Sequence, residues 1–270
     1  MLLTRDNHHA YWAEVDGKPK KKAIGVTSVS GLLDKPGLKY WAVNLACDHL
    51  IDLVRREQFV TFEEIEKARL LHIKSLQESG AQGTSVHDWV EEYINSQLLG
   101  TPQPKIPEGS GIDHIVNGAL AFLRWTKKHG VKFVSTERLV YSVKHGFGGQ
   151  MDAEAIVDGK LRVIDWKTSK AKKPKKGKEN DPCGLCTKTG CGGVYDEYRF
   201  QTAAYQSAAE EEGSVYTGNR LVIRLDKSTG EFSTHELGDY KNDVKAFRGL
   251  LVAKKRLIVL DPPAKSNLKK

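Results

Sequence analysis

GQMDAEAIVDGKLRVIDWK, residues Gly149 to Lys167, is the stretch that best indicates how this chain folds. Apolar and polar residues alternate on both sides of Asp158-Gly159, a dipeptide typical of tight β-turns. The stretch predicts two antiparallel strands, with Asp152 on the first and Asp165 near the end of the second. Side chains two residues apart on a strand point to the same face, so Asp165 and Lys167 should lie side by side.

The same alternation extends to other strands. The segments VKFVSTERLVYSV, FGGQMDAEAIV and LRVIDWKT predict a three-stranded antiparallel meander, with turns at His145-Gly146 and Asp158-Gly159. Two more strands are predicted at Arg220–Leu225 and Glu231–Leu237. Residues 10–30 predict a β-hairpin ahead of VTSVSGLL.

Helices are predicted around this sheet from apolar periodicity and from residues that start or end helices. One begins at Pro36, and the next begins at a capping-box pair, Thr61 with Glu64, and ends at Gly80. The remaining helices are expected from Gly83-Thr84 to about Leu98, from about Ile112 to Gly130, over EYRFQTAAYQSAAEE, and from Asp239 to about Leu260.

This order of elements indicates an α+β fold with a mostly antiparallel or mixed central sheet flanked by helices. We expect an N-terminal hairpin and helical region, residues 1–82, packed on a core of residues 83–260. An insertion at 170–195 interrupts the core, and a flexible basic tail covers 261–270. The parts should form one compact unit, because 39% apolar residues are enough for a substantial core.

The charge of the chain is unevenly distributed. The formal net charge is +8, from 42 basic and 34 acidic residues. Without the six lysines of the segment 170–178, 36 basic residues would stand against 34 acidic ones. We expect that segment to contact a polyanion such as DNA, although a solvated loop would have the same composition. The six lysines are Lys170, Lys172, Lys173, Lys175, Lys176 and Lys178.

Other compositional features suggest a soluble intracellular protein, in a bacterial cytoplasm or an organelle matrix. The chain has no apolar run long enough to span a bilayer, and its first residues lack the apolar stretch of a signal peptide. Its four cysteines are too few for a disulfide scaffold of this length. In a reducing compartment they would be thiols or metal ligands.

The predicted hairpin carries residues suited to phosphodiester hydrolysis. A divalent cation such as Mg²⁺ or Mn²⁺ polarises a phosphoryl oxygen, lowers the pKa of an attacking water, and binds carboxylate oxygens. Asp152 and Asp165 supply two carboxylates, and the Trp166 carbonyl is a natural third ligand. The Lys167 ammonium can orient the nucleophile or stabilise charge on the phosphorus. An Asp–Lys pair on a surface strand is nevertheless common in proteins of other function.

Further motifs occur in a specific order along the chain. GTSVH contains His87, Glu137 precedes the meander, GGQMD and VIDWKTS lie within it, and QTAAY carries Gln201 and Tyr205. From Gly83 to Tyr205 this ordered set resembles the RecB-like branch of the PD-(D/E)XK nuclease superfamily. VTSVSGLLD resembles, more loosely, the opening segments of phage-type and mitochondrial genome maintenance exonucleases.

The resemblance implies a restriction-endonuclease-like core with a metal-dependent active site. The metal ligands would be His87, Asp152, Asp165 and the backbone carbonyl of Trp166. Lys167 would be the catalytic lysine. Outside this context, His87 between Val86 and Trp89 would be interpreted as an ordinary histidine on a helix.

The resemblance also implies supporting residues. Gln201 and Tyr205 match the Q-x-x-x-Y element, which supports the site and contacts DNA near the scissile phosphate. Glu137 matches a frequent acid ahead of the meander, although a glutamate on a strand is more often solvated or paired with a base. Met151 stands where the superfamily name has proline, and RecB-like members often lack that proline.

A second metal centre is suggested by three cysteines after the lysine-rich segment. The pattern Cys-x2-Cys-x4-Cys is formed by Cys183, Cys186 and Cys191. It provides three corners of a tetrahedral zinc site, with Cys47 or His145 as the fourth ligand. Some RecB-like nucleases hold an iron-sulfur cluster, but their late cysteines follow the Q-x-x-x-Y helix, whereas these precede Gln201. We favour structural zinc over no metal, and no metal over a cluster.

These features together predict a Mg²⁺- or Mn²⁺-dependent DNA exonuclease that acts on DNA ends or single strands in recombination, repair or replication. The alternatives are a non-catalytic nucleic-acid-binding module with the same fold and an RNA-directed nuclease. The chain has no GxxxxGK[ST] phosphate loop, so any ATP-driven unwinding would come from a helicase partner. An annealing or single-strand-binding protein is the other kind of partner expected.

Overall fold

A computed structural model describes residues 2–7, 10–17, 20–169 and 195–261. The strands in this part of the chain are β1 (Leu2–Arg5), β2 (Tyr11–Glu14), β3 (Lys21–Gly25), β4 (Lys132–Ser142), β5 (Phe147–Val157), β6 (Lys160–Ser169), β7 (Arg220–Asp226) and β8 (Phe232–Leu237). The helices are α1 (Val26–Ser30), α2 (Pro36–Arg55), α3 (Phe62–Leu99), α4 (Asp113–His129), α5 (Asp196–Glu211) and α6 (Tyr240–Leu260).

The strands form one mixed sheet flanked by helices, which confirms the predicted α+β class. Its order is β1-β2-β3-β5-β6-β7-β8, and β4 pairs with the other edge of β5. The pairs β3–β5 and β6–β7 are parallel, and the other neighbours are antiparallel. The meander β4-β5-β6 and the hairpin β7-β8 were both expected from the sequence. The hairpin β2-β3 was also expected, whereas β1 was not.

One edge of β5 is shared by two strands that do not meet. β3 pairs with Phe147 and Gly148 at the start of β5, and β6 pairs with β5 only from Ala153 onward. Among the described strands, none pairs with residues 149–152 on that edge. β6 continues beyond this point, and its residues Asp165 to Ser169 pair with β7 alone. The sheet therefore has an internal opening between β5 and β6.

Apolar layers cover both faces of the sheet and hold this opening in place. The second half of α3 and all of α4 cover one face, where Trp166 packs edge-to-face against Phe122 and Trp125. Helices α1, α5 and α6 cover the other face, around Tyr205 and Phe247. Burial of these side chains is the main favourable term in folding.

The predicted helix end at Gly80 and the predicted helix start at Gly83 were both wrong, because α3 runs through both residues. The helix is continuous over 38 residues, and its N-cap is the expected Thr61, whose hydroxyl accepts a hydrogen bond from the Glu64 N–H. Neither glycine adopts the left-handed conformation of a helix C-cap. A glycine inside a helix costs only about 1 kcal/mol relative to alanine. At Gly83 a Cβ atom would lie 3.0 Å from Thr168 Oγ1, so the glycine lets α3 pass close to β6.

The other helices lie close to their expected positions. α2 begins at Pro36, α4 ends at a left-handed Gly130, and α5 and α6 cover the expected segments. The short helix α1 within VTSVSGLL was not foreseen. The described part of the chain contains no helix that is long and apolar enough to cross a membrane. The predicted basic tail after Asp261 lies outside the described residues.

Helix α2 and the first half of α3 form a hairpin with many exposed apolar side chains. No residue of α2 is buried, and Ala68 is the only buried residue of α3 before Val86. Phe59, between the two helices, is 90% exposed, and Phe62 is 78% exposed. The second half of α3 differs sharply, because it packs into the core beside the opening of the sheet.

Candidate active site

The Asp152 side chain lies at the opening between β5 and β6. Its Oδ2 accepts a hydrogen bond of 2.8 Å from the Trp166 backbone N–H, at the point where β5 no longer pairs with β6. The carboxylate thus takes the place of a strand carbonyl that the separation of the strands removes. This satisfies a backbone donor that would otherwise be costly to bury.

Asp165 and Lys167 lie side by side on β6, as the period of a strand predicts. Lys167 Nζ is 2.6 Å from Asp165 Oδ2. Asp165 Oδ1 accepts a hydrogen bond of 3.2 Å from Gln201 Nε2 on α5. Gln201 also donates to the Tyr205 hydroxyl, at 3.1 Å. The structure therefore brings the D-x-K pair and the Q-x-x-x-Y helix together.

Lys167 has an aromatic neighbour that was not among the predicted site residues. Its Nζ lies 4.7 Å from the centroid of the Tyr198 ring, in a cation–π arrangement. Tyr198 lies one helical turn before Gln201 on α5, and its spacing places it on the same face. The helix therefore holds the lysine and the aspartate of the D-x-K pair at once.

The charges in this cluster shift one another's protonation. Burial raises the pKa of Asp165 to about 6; Lys167 opposes this rise and the Asp152 charge adds to it. Burial also raises the pKa of Asp152, against the effects of Lys167 and of the Trp166 N–H. For Lys167 burial acts downward, but the two carboxylates outweigh it and its pKa is raised. Lys167 is therefore a cation, and burial shifts both carboxylates toward their neutral form.

His87 reaches the same opening from the second half of α3. Its Nδ1 lies 4.0 Å from Asp152 Oδ2. Burial lowers its pKa, as does the charge of Lys167, whereas Asp165, Asp88 and the Trp166 backbone raise it. The imidazole is thus held mainly neutral, the form that can bind a metal ion.

Glu137 lies on the far side of Asp152, on β4. It falls between the paired residues Thr136 and Arg138, opposite Asp152, and its φ of 48° is unusual for a residue other than glycine. Burial raises its pKa to about 8, and the charge of Asp152 adds to the rise. The structure thus brings Glu137 to the site beside the carboxylate that it faces.

The N-terminal strands supply site residues that the sequence analysis missed. Arg5 on β1 donates a hydrogen bond to the side chain of Gln150, whose Nε2 donates to the Glu137 carbonyl at 3.2 Å. The Tyr11 hydroxyl lies beside the Gln150 backbone. Burial raises the pKa of Tyr11, and Glu137 and Asp152 act in the same direction. No local signal could have found these residues, because β1 and β2 reach β5 only through long-range packing.

The donor set at this site fits a hard divalent cation. Two carboxylates, a neutral imidazole and a backbone carbonyl meet at the opening, and carboxylate oxygens are the preferred ligands of such ions. A cation would also stabilise the charged forms of Asp152 and Asp165, whose pKa values are raised mainly by burial. In the described part of the chain, no three His, Cys, Asp or Glu side chains are already grouped as a metal site. The assignment of His87, Asp152 and Asp165 as ligands stays a prediction.

Two predicted elements, the lysine-rich segment and the cysteine centre, involve residues between 170 and 194. The lysine-rich segment and the three cysteines at 183, 186 and 191 lie outside the described residues. Cys47, one of the two proposed fourth zinc ligands, is an exposed free thiol on α2. His145, the other, lies in the turn between β4 and β5. The zinc centre therefore stays a prediction.

A family model of the PD-(D/E)XK nuclease superfamily matches residues 61–259, well over half of the chain. The chain belongs to the PD-(D/E)XK nuclease superfamily. The match includes α3 with His87, the meander with both aspartates and the lysine, and the Q-x-x-x-Y helix. A search among curated proteins finds no match.

Membership of the PD-(D/E)XK superfamily has three consequences. The protein is a nuclease by family, its substrate is a nucleic acid, and nucleases of this superfamily generally use Mg²⁺ or a similar divalent metal. The mixed sheet with flanking helices is consistent with a PD-(D/E)XK core. The first strands, the first helix and α2 precede the matched region, although Arg5 and Tyr11 contribute to the site.

Proposed function

We propose that this protein is a RecB-like, Mg²⁺- or Mn²⁺-dependent deoxyribonuclease that acts as an exonuclease on DNA ends or single strands. Its setting would be recombination, repair or replication of DNA. The observation that carries the proposal is the meeting of Asp152, Asp165 and Lys167 where β5 and β6 separate. His87 and Gln201 reach the same point from two different helices.

Asp152, Asp165, His87 and the Trp166 carbonyl would hold the metal. When bound, such an ion polarises a phosphoryl oxygen and lowers the pKa of water. Asp152 has a second task in the chain itself, because its Oδ2 anchors the Trp166 N–H. That hydrogen bond fixes the position of the carboxylate relative to β6 before any ligand arrives, which reduces the ordering cost of binding.

Lys167 would supply positive charge to the phosphate. Its raised pKa keeps the ammonium protonated at neutral pH, and the contacts with Asp165 and Tyr198 limit the positions it can occupy. A cation held in place stabilises charge that develops on phosphoryl oxygens in the transition state. Gln201 fixes the other oxygen of Asp165, so the helix α5 orients the acid and restrains the lysine together.

The proposal is tested by digestion of a matched set of substrates. Linear duplex, linear single-stranded and covalently closed circular DNA, with an RNA of the same sequence, are incubated with Mg²⁺ or Mn²⁺ and with EDTA. We expect metal-dependent loss of linear DNA only. Cleavage of closed circles would contradict exonuclease action, and preferential cleavage of RNA would contradict the choice of DNA.

Thermal unfolding gives a second readout that does not depend on cleavage. A ligand that binds only the folded protein raises the melting temperature. We expect Mn²⁺ to raise the melting temperature of the wild type and to have little effect on Asp165→Asn. Equal shifts for the two proteins would place the cation elsewhere. Metal analysis of the purified protein tests the zinc prediction for the cysteine segment.

A further inference from the structure

A cavity of about 630 Å³ lies between β3 and the last turns of α6. It falls within the range of about 300–1,000 Å³ that is typical of ligand pockets. The residues that line it include Tyr11, Lys22, Gly25, Lys254, Ile258 and Val259. None of these lining residues is acidic.

The walls of the cavity combine apolar surface with positive charge. Ile258 and Val259 on α6 are exposed apolar residues, 38% and 68% accessible to solvent. Lys22 on β3 and Lys254 on α6 both line the cavity. Two basic triplets, residues 20–22 and 254–256, thus contribute Lys22, Lys254 and Lys255 to the lining of one cavity. Surface of this kind suits a ligand that is both anionic and aromatic.

Tyr11 joins this cavity to the candidate active site. Its side chain forms part of the cavity wall, and a Cβ atom on Gly25 would lie 3.5 Å from the Tyr11 ring. Its hydroxyl lies beside the backbone of Gln150, two residues before Asp152. The cavity and the opening between β5 and β6 are therefore neighbours along the same edge of β5.

We propose that this cavity binds an unpaired segment of the DNA strand whose phosphodiester lies at the candidate active site. The inference rests on the proposed function and adds a binding site to it. Lysines attract phosphates, and aromatic and apolar side chains receive bases that are free to stack. Duplex DNA keeps its bases inside the helix and would use only the lysines. The apolar walls around Tyr11 and Ile258 therefore favour a single strand.

The test measures binding without cleavage. A fluorescein-labelled 15-nucleotide oligothymidylate is titrated with full-length protein in EDTA between 50 and 200 mM salt, and anisotropy gives the dissociation constant. We expect the double variant Lys22→Ala/Lys254→Ala to bind about tenfold more weakly. Its slope of log affinity against log salt should fall by roughly 1.4, because each lost phosphate contact on a single strand contributes about 0.7.

Two further variants make the result specific. Lys20→Ala/Lys22→Ala changes only exposed side chains beside β3 and should also weaken binding, whether or not α6 tolerates a change at Lys254. Lys127→Ala/Lys160→Ala removes the same charge from exposed positions outside the cavity lining and should bind normally. An equal loss in this control would overturn the inference, since net charge alone would then explain it.

The remaining outcomes separate this inference from the proposed function. Unchanged affinity in both cavity variants overturns the inference, even if the protein degrades DNA. An equally large loss for a blunt duplex of the same length overturns the assignment to a single strand. Cavity-dependent binding of the oligonucleotide without any cleavage in Mg²⁺ or Mn²⁺ supports the binding site and counts against the nuclease proposal.

Discussion

The two halves of β6 pair with different strands and have different surroundings. From Lys160 to Ile164, the closed half, the strand pairs with β5, and its side chains enter both apolar layers. Of these residues only Ile164 also pairs with β7. From Asp165 to Ser169 the strand pairs with β7 alone. Ile164 and Asp165 are adjacent in sequence and equally buried, at 0% and 1% exposure. One belongs to the core and the other to the site.

This difference shows how a rigid sheet acquires a reactive centre. The separation of β5 from β6 leaves the Trp166 N–H without a strand partner, and the Asp152 carboxylate takes that role. Asp165 to Ser169, the open half of β6, pair with β7. The acidic and basic groups on this half therefore keep their positions without a second neighbouring strand.

The largest effect is expected when the open half loses its charges. Asp165→Asn and Lys167→Met keep the shape of each side chain, so the fold should survive. Nuclease activity should fall by about a thousandfold or more, because each variant removes a charge that acts on the reacting phosphate. The measurement is the initial rate of metal-dependent DNA degradation.

Circular dichroism and melting curves provide the control for these two variants. Each should show a native spectrum and cooperative unfolding. Wild-type rates in either folded variant would refute the assignment of the D-x-K pair.

Substitution in the closed half of β6, Lys160 to Ile164, should lower stability strongly and activity only slightly. Ile164→Ala removes a fully buried side chain next to Asp165 and leaves a cavity in the apolar layer. Substitutions of this kind cost about 2–5 kcal/mol of unfolding free energy. Urea denaturation should show this loss, whereas the rate per folded molecule at low temperature should change far less than in Asp165→Asn. A loss of activity as large as that of Asp165→Asn, with unchanged stability, would erase the distinction between the halves.

A smaller effect is expected at the edge of β5 that faces the opening. At Gly149 an added Cβ would lie 2.6 Å from Tyr205 Cε1 and 3.2 Å from a Val26 methyl carbon. Gly149→Ala should therefore push the ring away and cost about 1–3 kcal/mol. It should also lower activity, because Tyr205 is the hydrogen-bond partner of Gln201. Stability and rate are measured together on the same preparation.

Gly80→Ala is the matched control for Gly149→Ala. It adds the same methyl group where no atom lies within 4 Å, inside the continuous helix α3. It should be neutral or stabilise the protein by up to about 1 kcal/mol. Destabilisation by Gly80→Ala would contradict the continuity of α3.

The smallest effect is expected for His235, which lies two strands away from Asp165 in the sheet. Asp165 pairs with Val222 on β7, and Val222 pairs with His235 on β8. Burial lowers the pKa of His235 to about 4, and the charge of Arg224 acts in the same direction. His235 Nε2 also lies 2.9 Å from Ser233 Oγ. This histidine is thus neutral in the folded protein at pH values where the unfolded chain is protonated.

The sign of the pH dependence follows from that difference. Between about pH 6.5 and pH 4 the unfolded state binds more protons at His235 than the folded state does, so acidification removes stability. His235→Gln should lose less stability than the wild type over this range and should differ little in slope above pH 7. Urea titrations at pH 7.5, 6 and 5 measure this. Identical slopes for the two proteins would show that His235 does not contribute.

The sequence predicts the parts of this protein whose signals are local. The turn at Asp158-Gly159, the cap at Thr61 and the left-handed Gly130 each depend on neighbouring residues, and their elements lie where expected. The period of a strand also places Asp165 beside Lys167. These features require no knowledge of tertiary contacts.

The missed features depend on contacts between distant segments. Arg5 and Tyr11 enter the site because β1 and β2 extend the sheet beside β5, which no short pattern announces. The predicted break at Gly80 was wrong because a glycine inside a helix costs only about 1 kcal/mol, which is too little to end α3. The opening between β5 and β6 could not be predicted either, because the alternation of apolar and polar residues predicts strands but not where their pairing stops.

The length of helix α3 places its exposed half far from the candidate active site. With 38 residues it is about 57 Å long, and Ile65 and His87 are separated by roughly 33 Å along its axis. The helix is continuous and has no proline between these positions, and its Ser79-Gly80 pair is the step of the kind at which helices kink. The exposed half of α3 thus lies far from the opening, and the half packed in the core carries His87. A tilt of the exposed half would move His87 relative to Asp152 only if the helix stayed straight through Ser79 and Gly80.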